Sequence, residues 1–311
     1  MAINRAQLAK ELEPGLHALV GLEYKRWERE HAEIFNEENS DRAFEEETLL
    51  TGFGAAPTKS EGASVEYDTA AEQWTARYVH ETIALAFSIT EEAVEDNLYD
   101  TLSKRYTAAL ARSMAYTKQV KAANVLNNGF SSSYLGGDGK ALMTTDHPSL
   151  AAGDLSNELA TSADLSETSL ETAIIAIGGY VDDRNIPVAV QARKMIVPKD
   201  LAFTAQRILK SELRVGTADN DVNATKSMGL LPGGYSVNHY LTDTDAFFIL
   251  TDMTNTGFKM FQRRPLKTSM EPDFETGNMR FKASERYSFG WSDGEPYSVH
   301  RERNKVRMRG G

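Results

Sequence analysis

Histidines and paired carboxylates are the side chains here with most chemistry to offer, and neither set is spaced to use it. The six histidines are His17, His31, His80, His147, His239 and His300, and no two are placed to share a metal. His147 sits in Asp146-His147-Pro148, where a turn is the expected role. The pairs Asp182/Asp183, Asp219/Asp221 and Asp243/Asp245 would suit a hard cation, but each lies in turn composition, so capping is expected of them. Gly136-Gly137-Asp138-Gly139-Lys140 resembles a phosphate loop only superficially. The motif's first glycine would fall on Tyr134, and Lys140 is followed by Ala141 instead of a hydroxyl residue. No Gly-x-Ser-x-Gly elbow or His-Glu-x-x-His helix occurs, and the absence of cysteine removes thiolate nucleophiles and thiolate metal sites. No catalytic residue, metal ligand or cofactor is therefore expected.

At 311 residues the chain exceeds what one core comfortably holds, so two domains, or one core with long appendages, are expected. Hydrophobic residues make up 41% and charged residues 25%, so the chain should fold. A net charge of -11 disfavours a surface whose main task is to neutralise phosphates. The charge is uneven. Glu37, Glu38, Asp41, Glu45, Glu46 and Glu47 crowd the first fifty residues, while Arg301, Arg303, Lys305, Arg307 and Arg309 face only Glu302 at the other end. No run approaches the roughly 18 apolar residues of a membrane span and the first residues lack a secretory signal, so no membrane partner is expected.

The elements follow from periodicity. Residues 1–50 scatter Leu16, Leu19, Val20, Trp27 and Phe35 among charges, which reads as an arm that gains its burial from a neighbour. Thr51 to Ser64 has loop composition. Val65 to Asp68 and Trp74 to Ile89 read as a long two-stranded hairpin, with a change of phase between Tyr78 and Ile83. Thr90, Glu91 and Glu92 begin a long helix whose stripe runs Val94, Leu98, Leu102, Tyr106, Leu110, Met114, Val120 and Ala123, until Asn127-Asn128-Gly129 stops it. An α+β module follows. Asp164 and Ser166 can cap a helix bearing Leu170, Ile174 and Ile177, and Met195 to Val197 read as a strand. Pro198 opens a helix with Leu201, Phe203, Ala205, Ile208 and Leu209, and strands are expected at 236–240 and 246–250. Strands 258–270 and 278–291, joined by a turn at 272–277, complete the pattern.

Three groups of segments resemble one family. Leu142-Met143-Thr144-Thr145-Asp146-His147-Pro148, with the helix ending near Asp182-Asp183-Arg184, looks like the start of the outer domain in major capsid proteins of tailed bacteriophages. Ile208-Leu209-Lys210-Ser211, Gly216-Thr217-Ala218-Asp219-Asn220-Asp221 and Asn238-His239-Tyr240-Leu241-Thr242-Asp243-Thr244-Asp245-Ala246 resemble the major head subunits of Mu-like phages. Asp273-Phe274-Glu275-Thr276-Gly277-Asn278 and Glu285-Arg286-Tyr287-Ser288-Phe289-Gly290-Trp291 are similar to the family's closing β segment.

The resemblance implies an α+β fold shared with encapsulins. Its parts would be an N-terminal arm (1–50), an E-loop hairpin (51–89), a peripheral domain with a spine helix (90–130 and 258–298), an axial domain (131–257) and a basic C-terminal tail (299–311). It implies a structural head protein, not an enzyme, whose principal partner is itself. Hexamers and pentamers would form an icosahedral shell with double-stranded DNA on its inner face, with scaffolding, portal and decoration proteins as further partners. Such a protein is assembled in the host bacterial cytoplasm and resides in the virion. An encapsulin-like cellular compartment is the alternative under the same fold. The intersubunit contacts expected are Trp27 and Phe35 on the arm and Phe53, Trp74, Tyr78, Ile83 and Phe87 on the ribbon, with packing inside the subunit's own sheet as the alternative for Trp74, Tyr78, Ile83 and Phe87. Lys59 is the only lysine of the expected E-loop, and no lysine–asparagine cross-link is expected.

Overall fold

The computed structural model describes residues 5–90, 92, 99–213, 221–252, 257–292 and 298–300. In chain order its elements begin with helix α1 (Arg5–Arg26), strands β1 (Asn36–Asn39), β2 (Phe44–Leu50), β3 (Glu72–Val79) and β4 (Glu81–Ile89), and helix α2 (Tyr99–Asn127). Helix α3 (Glu167–Gly178), strand β5 (Ala192–Pro198), and helices α4 (Ala202–Lys210) and α5 (Ala224–Met228) follow. Strands β6 (Tyr235–Asn238), β7 (Phe247–Thr251), β8 (Phe258–Pro272), β9 (Met279–Trp291) and β10 (Ser298–His300) end the described chain.

One sheet has the order β1-β8-β9-β4, with β8 and β9 as a long antiparallel hairpin at its centre. The hairpin closes through Asp273–Gly277, where Gly277 takes a φ of +68° that a side chain would resist. Helix α2 lies on this sheet. Its buried stripe is Ser103, Thr107, Leu110, Ala111, Met114, Lys118, Ala122 and Leu126, every third or fourth residue. Tyr106, expected in the stripe, is 49% exposed, because the smaller Ser103 and Thr107 face inward. The expected start around Glu91, with Val94, lies outside the described residues.

The leading segment does not wait for a neighbour. Leu16 and Val20, one turn apart on α1, pack with Leu110, Ala111 and Met114 of α2 and with Phe281 and Ala283 of β9. Burying two such side chains is worth about 1.5–3 kcal/mol each, enough to favour the docked helix over a dangling arm. At the seam, Lys118 pairs with Glu285 at 3.0 Å with both side chains almost wholly buried. Tyr24 of α1 donates to the same carboxylate at 3.1 Å. Burial and the adjacent Glu285 push the Tyr24 phenol upward, so it stays a donor.

In the second sheet, β10-β7-β5-β6, the central strand β7 is buried on both faces, so it is apolar without alternation. Phe248, Leu250 and Ile196 face α2 and the first sheet; Phe247, Ile249, Met195 and Val197 face α3 and α4. Ser166 caps α3 through the Ser169 N–H, as its position suggested, whereas Phe203 of α4 is 80% exposed. Because β10 pairs with β7, the chain leaves the first sheet after β9, and residue 298 does not continue it as expected.

The third sheet corrects the expected ribbon. Its strands are β2 and β3, paired from Phe44↔Val79 to Leu50↔Glu72, and residues 65–68 are not a strand. Strand β4 pairs along its whole length with β9 in the first sheet. The change of phase between Tyr78 and Ile83 is therefore the crossing from one sheet to another at His80.

Candidate subunit interface

Alternation on the β2–β3 hairpin separates an inner from an outer face. Inward, Tyr78 is buried over Phe261 at a ring distance of 4.9 Å and against Gly290, where a Cβ would approach its ring to 2.7 Å. Glu47 accepts from Tyr78 and pairs with Lys259. Outward lie Phe44, Glu46, Thr48, Leu50, Thr75, Arg77 and Val79, all exposed. Here Arg77 stacks on Phe44 at 3.9 Å and pairs with Glu46. The base of the hairpin thus rests on its own subunit while its outer face and tip do not. Beyond Thr51 the tip exposes Phe53 at 63%, Val65 at 61% and Tyr67 at 95%.

Both legs of the hairpin meet at His80. Ser40 Oγ donates its one proton to Glu45 at 2.6 Å, so His80 Nε2 donates to Ser40 and Nδ1 accepts from Ser288 Oγ at 2.9 Å. Burial lowers the pKa of this imidazole, and Arg286 and Arg263 lower it further.

The expected contact residues divide. Phe35 is buried between Phe258 and Phe289, and Tyr78 sits in the hairpin base. Ile83 and Phe87 lie on β4 within the sheet packed on α2, Phe87 being 5.5 Å from Phe281. Phe35 and Tyr78 are used by the subunit's own core, whereas Ile83 and Phe87 pack against it and stay partly exposed. Trp27, 38% exposed under the Arg112 guanidinium, Phe53 at the tip and the half-buried Trp74 keep surface. Sequence reasoning missed Leu50, Val65, Tyr67, Val79 and Phe274, the last fully exposed in the β8–β9 turn. Strand β2, FEEETLL, alternates in burial but not in apolar character, so no period-two signal in the sequence revealed it.

The other candidates for chemistry are structural. His147 bonds to Asp138 at 2.6 Å, both buried; His31 bonds to Glu37 at 3.1 Å, and His239 to Glu30 at 2.7 Å. Asp182 caps its own turn, Asp243 accepts from the Asp245 N–H, and Lys140 pairs with Asp146. Asp219 lies outside the described residues. Among the described residues no group of three or more histidines or carboxylates could hold a metal.

An exposed hairpin on a two-sheet body with one long helix is a geometry suited to interlocking copies, and the chain matches the phage capsid protein family over residues 73–301. The chain belongs to that family. This capsid subunit is a structural protein of a virion shell that assembles from copies of itself. Its fold is that of tailed-phage major capsid proteins. It is similar to the capsid of cyanophage P-SCSP1u (TM-score 0.55, 12% identity, 86% of each chain covered). It is also similar to the structure of Mycobacterium phage Che8 (0.54, 16%, 87% of this chain and 90% of that one). A virus-like particle from Pyrococcus furiosus shares the fold (0.54, 10%, 92% and 98%). No curated protein matches in sequence.

Proposed function

We propose that this capsid subunit forms hexamers and pentamers of an icosahedral shell around phage DNA, and that the β2–β3 hairpin is the arm by which one subunit overlaps the next. The observation that carries the reading is the hairpin itself. A two-stranded ribbon is marginal in water, and this one leaves an outer face with Leu50 and Val79 and a tip with Phe53, Val65 and Tyr67 uncovered. A second copy is the natural cover, since in a closed shell the same patch recurs on every subunit. Trp27 and the exposed part of Trp74 are further contacts in this reading.

The Mu-like grouping rests on the segments at 208–211, 216–221 and 238–246. The basic residues 301–309 suit a local contact with packaged DNA, and assembly in the host cytoplasm with scaffolding, portal and decoration proteins follows from the same reading. The family match favours a phage shell over a cellular compartment.

The test is to express the chain, image it by negative stain, and compare a variant in which residues 53–70 are replaced by a short glycine link. The parent should form closed shells; the variant should remain folded by circular dichroism and yield only small oligomers. Normal shells from the variant would remove the hairpin from the interface.

A further inference from the structure

Arg184 reaches from the turn after α3 to both legs of the hairpin. Its Nε donates to the Gly52 carbonyl at 3.2 Å and its Nη2 to the Thr69 carbonyl at 2.7 Å. These acceptors flank the hairpin's neck, which is itself tied shut. The Thr51 N–H donates to the Ala71 carbonyl at 2.9 Å, the Ala71 N–H to Thr51 Oγ1 at 2.8 Å, and the Gly54 N–H to Asp68 Oδ2 at 2.7 Å.

The turn that carries Arg184 is equally well made. Asp182 Oδ1 accepts from the N–H groups of Arg184 at 2.9 Å and Ile186 at 2.8 Å, and the Asp182 carbonyl accepts from Asn185. Asn185 sits at a φ of +62°, a conformation that asparagine tolerates better than most residues. A further bond from Ala151 to the Asp183 carbonyl fixes the turn to its module. The guanidinium is thus presented by a defined scaffold to a defined neck.

We propose that Arg184 is a positioning residue for the hairpin: a latch that fixes the direction in which residues 52–71 leave the subunit, and thereby presents the tip to a neighbouring copy. Tyr78, Glu47 and His80 pin only the base, and a two-stranded ribbon can still bend beyond it; an anchor at the neck removes that freedom. A planar guanidinium spans two acceptors at once, which a lysine ammonium does not do with the same fixed geometry. Both bonds are solvent-exposed, so the latch orients the hairpin without committing it and can release when a neighbour takes over. The consequence for assembly rests on the reading of the hairpin as the intersubunit arm, but the latch within one subunit does not.

Because the chain has no cysteine, K59C on the tip together with T172C on α3 gives two unique sites for spin labels. Pulsed distance measurements on the free subunit should give one narrow distribution, which R184A and R184K broaden while the melting temperature and circular dichroism stay as in the parent. R184A without the added cysteines should form shells several-fold more slowly than the cysteine-free parent by light scattering. A distribution as narrow in R184A as in the parent overturns the latch, and a broadened one with unchanged assembly kinetics overturns its positioning role. Failure of the cysteine-free, unlabelled parent to form shells would count against the proposed function, while the distance distributions would still judge the latch.

Discussion

Glu285 is wholly buried and holds Lys118 and Tyr24 on one of its oxygens, while its Oε1 and the Tyr287 hydroxyl have no protein partner among the described residues. Removing one charge leaves the other buried and uncompensated. Glu285→Gln should therefore cost about 3–5 kcal/mol of stability in urea melts, and Lys118→Met combined with it should cost much less than the sum of the two single changes. His31 and His80 supply a pH dependence. Both fall below the ordinary value of 6.5, chiefly through burial, so the unfolded chain takes up protons before the folded one does. Their stabilising effect is complete above that value and is lost as pH falls through and below it. Denaturation midpoints should drop between about pH 7 and about pH 5, and His80→Asn should flatten that slope; an unchanged slope in both His80→Asn and His31→Asn would refute the assignment.

Helix α1 is held to α2 and β9 by Leu16 and Val20, with His17 beside Phe281 and Tyr24 on Glu285. Leu16→Ala with Val20→Ala should raise hydrogen exchange across α1 by orders of magnitude while leaving β5 and β7 protected. The elements were unequally legible in the sequence. Helix α2 was plain because its apolar residues recur along its length, and the β8–β9 turn and the start of α3 were marked by Gly277 and Ser166, whereas Pro198 ends β5 and a 3-10 turn separates it from α4. The docking of α1 was hidden, because its apolar residues are interspersed with charges and Pro14 in patchy helical spacing, and partner identity is a tertiary property. The hairpin was misread because Glu45, Glu46 and Glu47 masked β2, and because β3 and β4 run on with only His80 between them, although they belong to different sheets. Of the interface, the exposure of Phe53 was foreseeable from its loop composition, but the burial of Phe35 and Tyr78 depended on β8 and β9, which lie far away along the chain.

For the whole molecule, charge sets the conditions of association. Each copy carries a net charge of -11, so copies repel at long range before any apolar contact forms. Raising the salt concentration from about 0.05 M to about 0.5 M shortens the screening length well below the dimensions of a subunit and should speed shell formation, as followed by light scattering. A slowing over that range would mean that ion pairs between copies outweigh the general repulsion.

The pairing of early with late strands governs timing during synthesis. Among the described residues, strands β1 and β4 pair only with β8 and β9, and the seat of Tyr78 is Gly290, so a chain emerging from the ribosome carries these early segments without those partners until residues 258–291 have been made. Competence to join a lattice is consequently withheld from nascent polypeptides, and truncated translation products lack the seat on which an assembly arm could be mounted.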